Sequence, residues 1–428
     1  MIYQENNVTP PASLHFDTNF YAYLAAFILL PLSILYGAKF YMPGKYNDAF
    51  LSKEVTGCVK GISIVVVILH HLAGKISGPG HFFAFTRYGY LAVSIFFFLS
   101  GYSLMSSVIA NPAYIDNFFR RRFTRVYFPV IAVNAITLVL YRFIYGYNWS
   151  AAGILKNITG VELIDPVLWF VNAILILYVV FYIAFRFFSR RAGIILVTAY
   201  SLFYFIICIC LGYGAWWYNT AFCFPMGVIA AYKYKELTGF MQKNYMALGA
   251  AVIAVFCASF YMADWWPRPE IAGMLPVISA AACACMILVL LFKRNYTALA
   301  AAVPVIILSA YYILKRWNYP AYSTGFAVAS SISCVLLMLV FLMKVKIYNS
   351  LWAFAGLISY EMYLVHMKVF NIYFSYLQVK QGYSIYGFLA MVIITAWVLN
   401  KLFNYINRQG RDAEAVIPVV QTADDDPV

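Results

Sequence analysis

The stretch KGISIVVVILHHLAG, Lys60–Gly74, decides how the rest of the chain is read. An apolar run long enough to enter a bilayer carries a cation at one end and two histidines, His70 and His71, near the other. Ionisable side chains are costly at that depth, so each is a functional candidate by default. At about 100° per residue, eleven positions return a helix almost to its starting face, so Lys60 and His71 point the same way, about 16 Å apart along the axis. His70 looks aside from that face by most of a quarter turn. After a short polar loop comes a second apolar run, YGYLAVSIFFFLSGYSLMSS, Tyr88–Ser107.

Composition agrees with a membrane setting. The 428 residues are 64% hydrophobic, 19% aromatic and 11% charged, against about 25% charged residues in soluble domains. The fold class expected is all-α, a polytopic transmembrane helix bundle. A net charge of +14 would suit nucleic acid. Here the cations sit in short clusters between apolar segments, which is how cytoplasmic loops read, and nucleic-acid binding is excluded on that ground. The eight cysteines lie almost all inside apolar runs. Cys208 with Cys210, and Cys283 with Cys285, are two apart, which turns them to different helix faces and spoils metal geometry. They read as small apolar fillers, with no disulfide framework and no metal site.

Taken in order, residues Met1–Asn19 are polar and lack Lys and Arg, so Phe20–Ala38 reads as a retained span rather than a signal peptide. Lys39, Lys45, Lys53 and Lys60 then mark a cytoplasmic loop, which puts the amino terminus outside and the carboxyl terminus in the cytoplasm. Roughly thirteen spans of about 20 residues can be placed. They include Ala215–Tyr232, Gly273–Phe292, Ala298–Leu314, Ser350–Phe374 and Ser384–Tyr405. Clusters such as Arg120–Arg125 and Lys344 with Lys346 fall on the inner side, while Glu162, Asp165, Asp264 and Glu270 fall on the outer; Lys315 and Arg316 break the pattern. The expected organisation is an exterior segment, first span and loop over 1–56, a transmembrane core over 57–376, a last loop and span over 377–411, and a disordered acidic tail over 412–428. No Gly-rich phosphate loop and no internal repeat is evident.

Of sixteen acidic residues, Glu361 alone falls well inside a span. Counting eleven residues from Ser350, as His71 lies eleven from Lys60, puts both at one depth. A carboxylate there would hold the imidazole in one tautomer and raise its basicity; a neutral Glu361 bonded to a neighbouring helix is the plainer alternative. On spacing alone His71 reads equally as a general base or as a core histidine satisfied by a carbonyl or water. Arg121, Arg122 and Arg125 are spaced to form one cationic ridge on a helix, and such a cluster beside a span is usually a topology signal. Ser100 and Gly101 read as close helix packing before catalysis. Trp149, Trp169, Trp216, Trp217, Trp265 and Trp266 read as an interfacial belt.

Four blocks then resemble one family. Lys60 followed by ten residues and His71, FFFLSGY at Phe96–Tyr102, FFRRRFTRVYFP at Phe118–Pro129 and ISYEMYLVH at Ile358–His366 occur in the order of the signature blocks of the acyltransferase 3 family of integral-membrane acyltransferases. DPVLWFVNAIL, from Asp165, is similar to a further block. The first block departs from the family pattern, which begins with arginine, so a point charge stands where a planar bidentate fork would be. The resemblance implies acyl-CoA, probed first as acetyl-CoA, as co-substrate, with Lys60, Arg121, Arg122 and Arg125 on its phosphates. It implies His71 as base supported by Glu361, His70 in reserve, and His366 as a further site residue. The acceptor expected is a hydroxyl of a cell-envelope saccharide or lipid-linked glycan. The partners are the lipid bilayer and that glycan, a homo-oligomer being compatible with the sequence, and the setting is the cell membrane, bacterial cytoplasmic by expectation. A transporter or flippase of lipid-linked glycan is the rival reading, kept open by Pro225, Pro276 and Pro304 inside spans.

Overall fold

Within hydrocarbon a backbone must satisfy its own hydrogen bonds, and the apolar runs of this chain do so as helices. The computed structural model describes residues 14–15, 19–77, 80–264, 319–377 and 384–415. It is an all-α helix bundle, with 8 helices among the described residues long and apolar enough to cross a membrane. The expected spans Gly273–Phe292 and Ala298–Leu314 lie outside the described residues.

The amino-terminal apolar run is not one regular helix. It divides into α1 (Asn19–Tyr23), a π-helical stretch Leu24–Leu29 and α2 (Leu30–Leu35). Pro31 has no N–H to offer the carbonyl four residues back and its ring crowds that carbonyl. The helix widens just before it, and the Leu30 N–H reaches Ala25 O instead. Next come α3 (Lys53–Ala73), N-capped by the Ser52 hydroxyl, and α4 (Gly89–Ala110). The same proline device recurs at α5 (Phe118–Arg122) and α6 (Phe128–Tyr145), which are joined by a π turn at Phe123–Tyr127 just ahead of Pro129. Then follow α7 (Ala151–Thr159), α8 (Trp169–Phe187), α9 (Arg190–Cys210), the short α10 (Cys223–Tyr232), α11 (Tyr234–Lys243) and α12 (Tyr245–Asp264). The chain continues through α13 (Tyr319–Lys344), α14 (Ser350–Leu357), α15 (Ser359–Phe370) and α16 (Ser384–Ala415). The stretch read as one span, Ser350–Phe374, is therefore broken at Ile358, and Ala215–Tyr232 holds only the ten residues of α10 as α-helix.

Two contacts between small residues set the bundle's geometry. A Cβ on Gly101 of α4 would stand 2.2 Å from Phe224 O of α10, and one on Gly227 of α10 would stand 2.0 Å from Phe98 O. These helices touch backbone to backbone, which is the packing role expected of Gly101. In the same way Gly356 of α14 presses on Gly57 of α3, where a Cβ would lie 1.9 Å from the Gly57 carbonyl oxygen. At the cation-rich end the loop after α2 is latched to α13. Asn47 donates its N–H to Met343 O (2.8 Å), and Lys344 reaches Lys45 O (2.7 Å) while lying 4.1 Å over the Tyr46 ring.

Candidate active site

The helices α3, α4, α5, α6, α8, α14, α15 and α16 surround a cavity of about 1360 Å³. That exceeds the usual ~300–1000 Å³ of a small-molecule pocket and leaves room for a ligand with a long arm. Among the described residues, five cations line one end, Lys60, Arg120, Arg121, Arg122 and Arg125, and one carboxyl group, Glu361, lines the cavity.

The arginines are placed by the aromatic footing of α5. Phe118 is fully buried and stacks on Phe181 at 5.9 Å. Arg121 lies 4.8 Å over the Tyr114 ring, and Arg122 lies 5.2 Å over Tyr178 and donates to the Tyr114 hydroxyl. The π turn before Pro129 separates Arg125 from its neighbours by more than an α-helical step, so the continuous ridge expected from spacing is interrupted. All four arginines nonetheless face the cavity. Among the described residues, Lys60, Arg121, Arg122 and Arg125 have no carboxylate partner, and the buried Nε of Arg122 has no hydrogen-bond partner. Buried polar atoms are rarely left unsatisfied, and such a group needs an explanation. An anionic ligand would supply it.

Halfway along, Glu361 accepts a hydrogen bond from Asn400 Nδ2 at 3.0 Å, and Asn404 Nδ2 in turn donates to Asn400 Oδ1 at 3.0 Å. The second carboxyl oxygen of Glu361, Oε2, is buried without a partner. Its expected pairing with His71 is not made. Instead the His71 ring lies against His366, with centroids 5.2 Å apart and planes 31° from parallel.

The reason is register. Helix α3 begins at Lys53, so Lys60 already lies about 10 Å inside it, whereas Ser350 opens its own helix. Cys58 meets Asn349 O at 3.8 Å and His71 meets His366, so α3 runs parallel to the α14–α15 pair. By that offset Glu361 stands about five residues, or roughly 7.5 Å, short of His71.

The histidines are held by backbone. His366 Nδ1 lies 2.8 Å from Tyr363 O, and a carbonyl only accepts, so Nδ1 carries the hydrogen and Nε2 is left as an acceptor. That Nε2 is buried and has no partner. His70 Nδ1 likewise donates to Phe85 O at 3.2 Å, and its ring sits on Gly89, where a Cβ would come within 2.5 Å. His70 then meets the His71 ring edge-on at 4.8 Å. All three imidazoles are therefore contiguous. His70 is fixed to the wall, while His71 and His366 follow one turn beyond Val67 and Tyr363, which line the cavity.

Beyond them lies a pair that the sequence reading missed. Lys368 Nζ donates to Asp165 Oδ2, and both residues are 6% exposed. Asp165, expected in an outer loop, is buried at the start of the turn leading into α8, because its partner comes from α15. Lys368 was a detectable signal, since a lysine seven residues beyond Glu361 in an apolar span needs a partner. Asn371 adjoins them and donates to the Tyr141 hydroxyl at 2.9 Å. Ser100 lines the cavity. Trp169 packs inside, 5.7 Å from Trp217 and 6.4 Å from Phe97.

Cations and one carboxyl group thus line the cavity, and three contiguous imidazoles lie just beyond it, all among apolar helices. A family model described as an acyltransferase domain matches residues 57–298, more than half of the chain, and the chain belongs to that family, the acyltransferase 3 family. Comparison with curated proteins and with solved structures gave no match. The protein is a membrane acyltransferase.

Proposed function

We propose that this protein moves an acyl group, acetyl foremost, from cytoplasmic acyl-CoA to a hydroxyl of a cell-envelope saccharide or lipid-linked glycan. The observation that carries the reading is the cavity at one end of which Lys60, Arg121, Arg122 and Arg125 have no carboxylate partner among the described residues, and whose far end stops one helical turn short of two imidazoles. Arg121, Arg122, Arg125 and Lys60 hold the phosphates of the donor, arginine by its fork and Lys60 as a point charge. The pantetheine arm runs along the cavity past Glu361, whose free Oε2 accepts from one of its amide N–H groups.

The acceptor hydroxyl oxygen attacks the thioester carbonyl, and its proton passes to the imidazole pair formed by His71 and His366. The C–S bond breaks, and the thiolate leaves as coenzyme A on taking up a proton. His366, with hydrogen fixed on Nδ1 and Nε2 open, keeps an acceptor at this point. His70, pinned to Phe85 and Gly89, holds His71 in place. The buried Asp165–Lys368 pair fixes α15 to the start of α8 at the end remote from the arginines. An acceptor approaching from the opposite face of the membrane would meet the imidazoles from that side.

The test uses the purified full-length protein with labelled acetyl-CoA and a panel of envelope saccharides. Acceptor-dependent release of coenzyme A is expected. Release that persists at the same rate in both His71→Ala and His366→Ala removes the proposed base.

A further inference from the structure

The far end of the cavity is closed by hydrocarbon. Phe170, in the first turn of α8, lines this end, 4.9 Å from Phe97 and 5.5 Å from Tyr363, each edge to face at 70°. Val67 and Val93 complete this end. Tyr363 is tied down, because its hydroxyl donates to Val167 O and its ring lies 5.8 Å from His366. The Phe170 ring packs against Phe96, Phe97 and Tyr363, is 9% exposed and lines the cavity. Immediately behind this floor lie His71 and His366.

Resting on the reading of the cavity as the acyl-CoA site, we infer that Phe170 is the residue that sets the length of the acyl group. A donor entering from the cationic end leads with its acyl chain, so the chain's terminal carbon meets the Phe170 ring first. A two-carbon group brings the thioester carbonyl up to the floor, next to the imidazoles. A longer chain either drives into a packed ring, which costs overpacking strain, or holds the carbonyl back toward Glu361. Misplacement by about 1 Å can cost about 100-fold in rate, so a chain held back is a poor donor even when bound. The other cavity walls at this depth come from valines, from the anchored Tyr363 and from Phe96, whose ring lies 6.2 Å from that of Phe170. Of the two phenylalanines Phe170 is the one in ring contact with Tyr363, the neighbour of His366, so its size decides the depth.

The experiment measures binding of coenzyme A, acetyl-CoA, butyryl-CoA and hexanoyl-CoA to the detergent-solubilised full-length protein, in wild type, Phe170→Leu and Phe170→Ala. Wild type is expected to bind acetyl-CoA at least as tightly as the longer donors. In Phe170→Ala the preference reverses, with hexanoyl-CoA gaining about fourfold over acetyl-CoA for each methylene that enters the freed space. Phe170→Leu shifts the ranking the same way by less, and decides the matter if the alanine variant does not fold. Coenzyme A without an acyl group binds all folded variants equally.

If coenzyme A binds, Arg122→Gln weakens it and the chain-length ranking is the same in all three proteins, the inference about Phe170 is overturned while the donor site stands. If wild type binds neither coenzyme A nor any acyl-CoA, the donor site itself is wrong and the inference goes with it.

Discussion

The two ends of the cavity are built in opposite ways. At the cationic end Arg120, Arg121, Arg122 and Arg125 come from a single six-residue run, and local helix geometry with Phe118 as an anchor suffices to present them. At the far end the side-chain partners that join different helices are distant in sequence. Asp165 and Lys368 are 203 residues apart, and His71 and His366 are 366 − 71 = 295 apart. Charge recruitment needs only cations in the right neighbourhood, since Coulomb attraction is long-ranged and forgiving of direction. Proton transfer needs atoms within hydrogen-bond reach, and only tertiary packing delivers that. Damage at the cationic end should therefore weaken binding and spare the fold, whereas damage at the far end should reach both chemistry and stability.

The largest effect is expected at the imidazoles. His71→Ala should lower turnover by about 10²–10⁴-fold, with donor affinity unchanged, as read by coenzyme A release against direct binding. Second is the buried pair. Asp165→Asn leaves Lys368 charged and unpaired, and should lower stability by about 3–5 kcal/mol, whereas the double variant Asp165→Leu/Lys368→Met should recover most of that. Denaturant titration in mixed micelles reads both, and equal losses in the single and double variants would show that the cost does not come from leaving Lys368 charged and unpaired.

At the cationic end, Arg122→Gln should weaken coenzyme A binding by about 1.5–3 kcal/mol through loss of charged hydrogen bonds, while the unfolding midpoint stays where it is. A shifted midpoint with unaltered affinity would contradict the division between the two ends. Gly356→Ala tests the helix contact that sets the register of α3 against α14. With backbone 1.9 Å from the added Cβ, it should cost about 1–3 kcal/mol by overpacking. The smallest effect belongs to Asn400→Ala, which removes one hydrogen bond to Glu361 and should cost about 1 kcal/mol or less, because the cavity lets water replace it. A much larger loss of donor affinity would give Asn400 a direct role in binding.

Much of this was legible before any coordinates. Lys60 and His71 share one helix, the arginine block opens a candidate span, and Glu361 is buried inside the bundle. The partner of Glu361 was misassigned because depth was counted from the ends of apolar runs. Helix α3 starts seven residues before Lys60, and the run Ser350–Phe374 breaks at Ile358. Hydropathy reports neither event. Asp165 escaped notice because a carboxylate beside a proline at the edge of a span looks like any loop residue until its lysine is brought to it.

The sequence alone determined a membrane-spanning all-α bundle and its family. Hydrophobic run length, charge clusters and motif order are properties of the linear chain, and no neighbour is needed to express them. Only the tertiary structure decided that His71 faces His366 rather than Glu361, that Asp165 is buried against Lys368, and that Phe170 lines the cavity. Those outcomes depend on the register between helices, which close contacts such as Gly57 on Gly356 set to within a fraction of a turn. A shift of one residue rotates a helical side chain by about 100° and would present a different set of groups to the cavity.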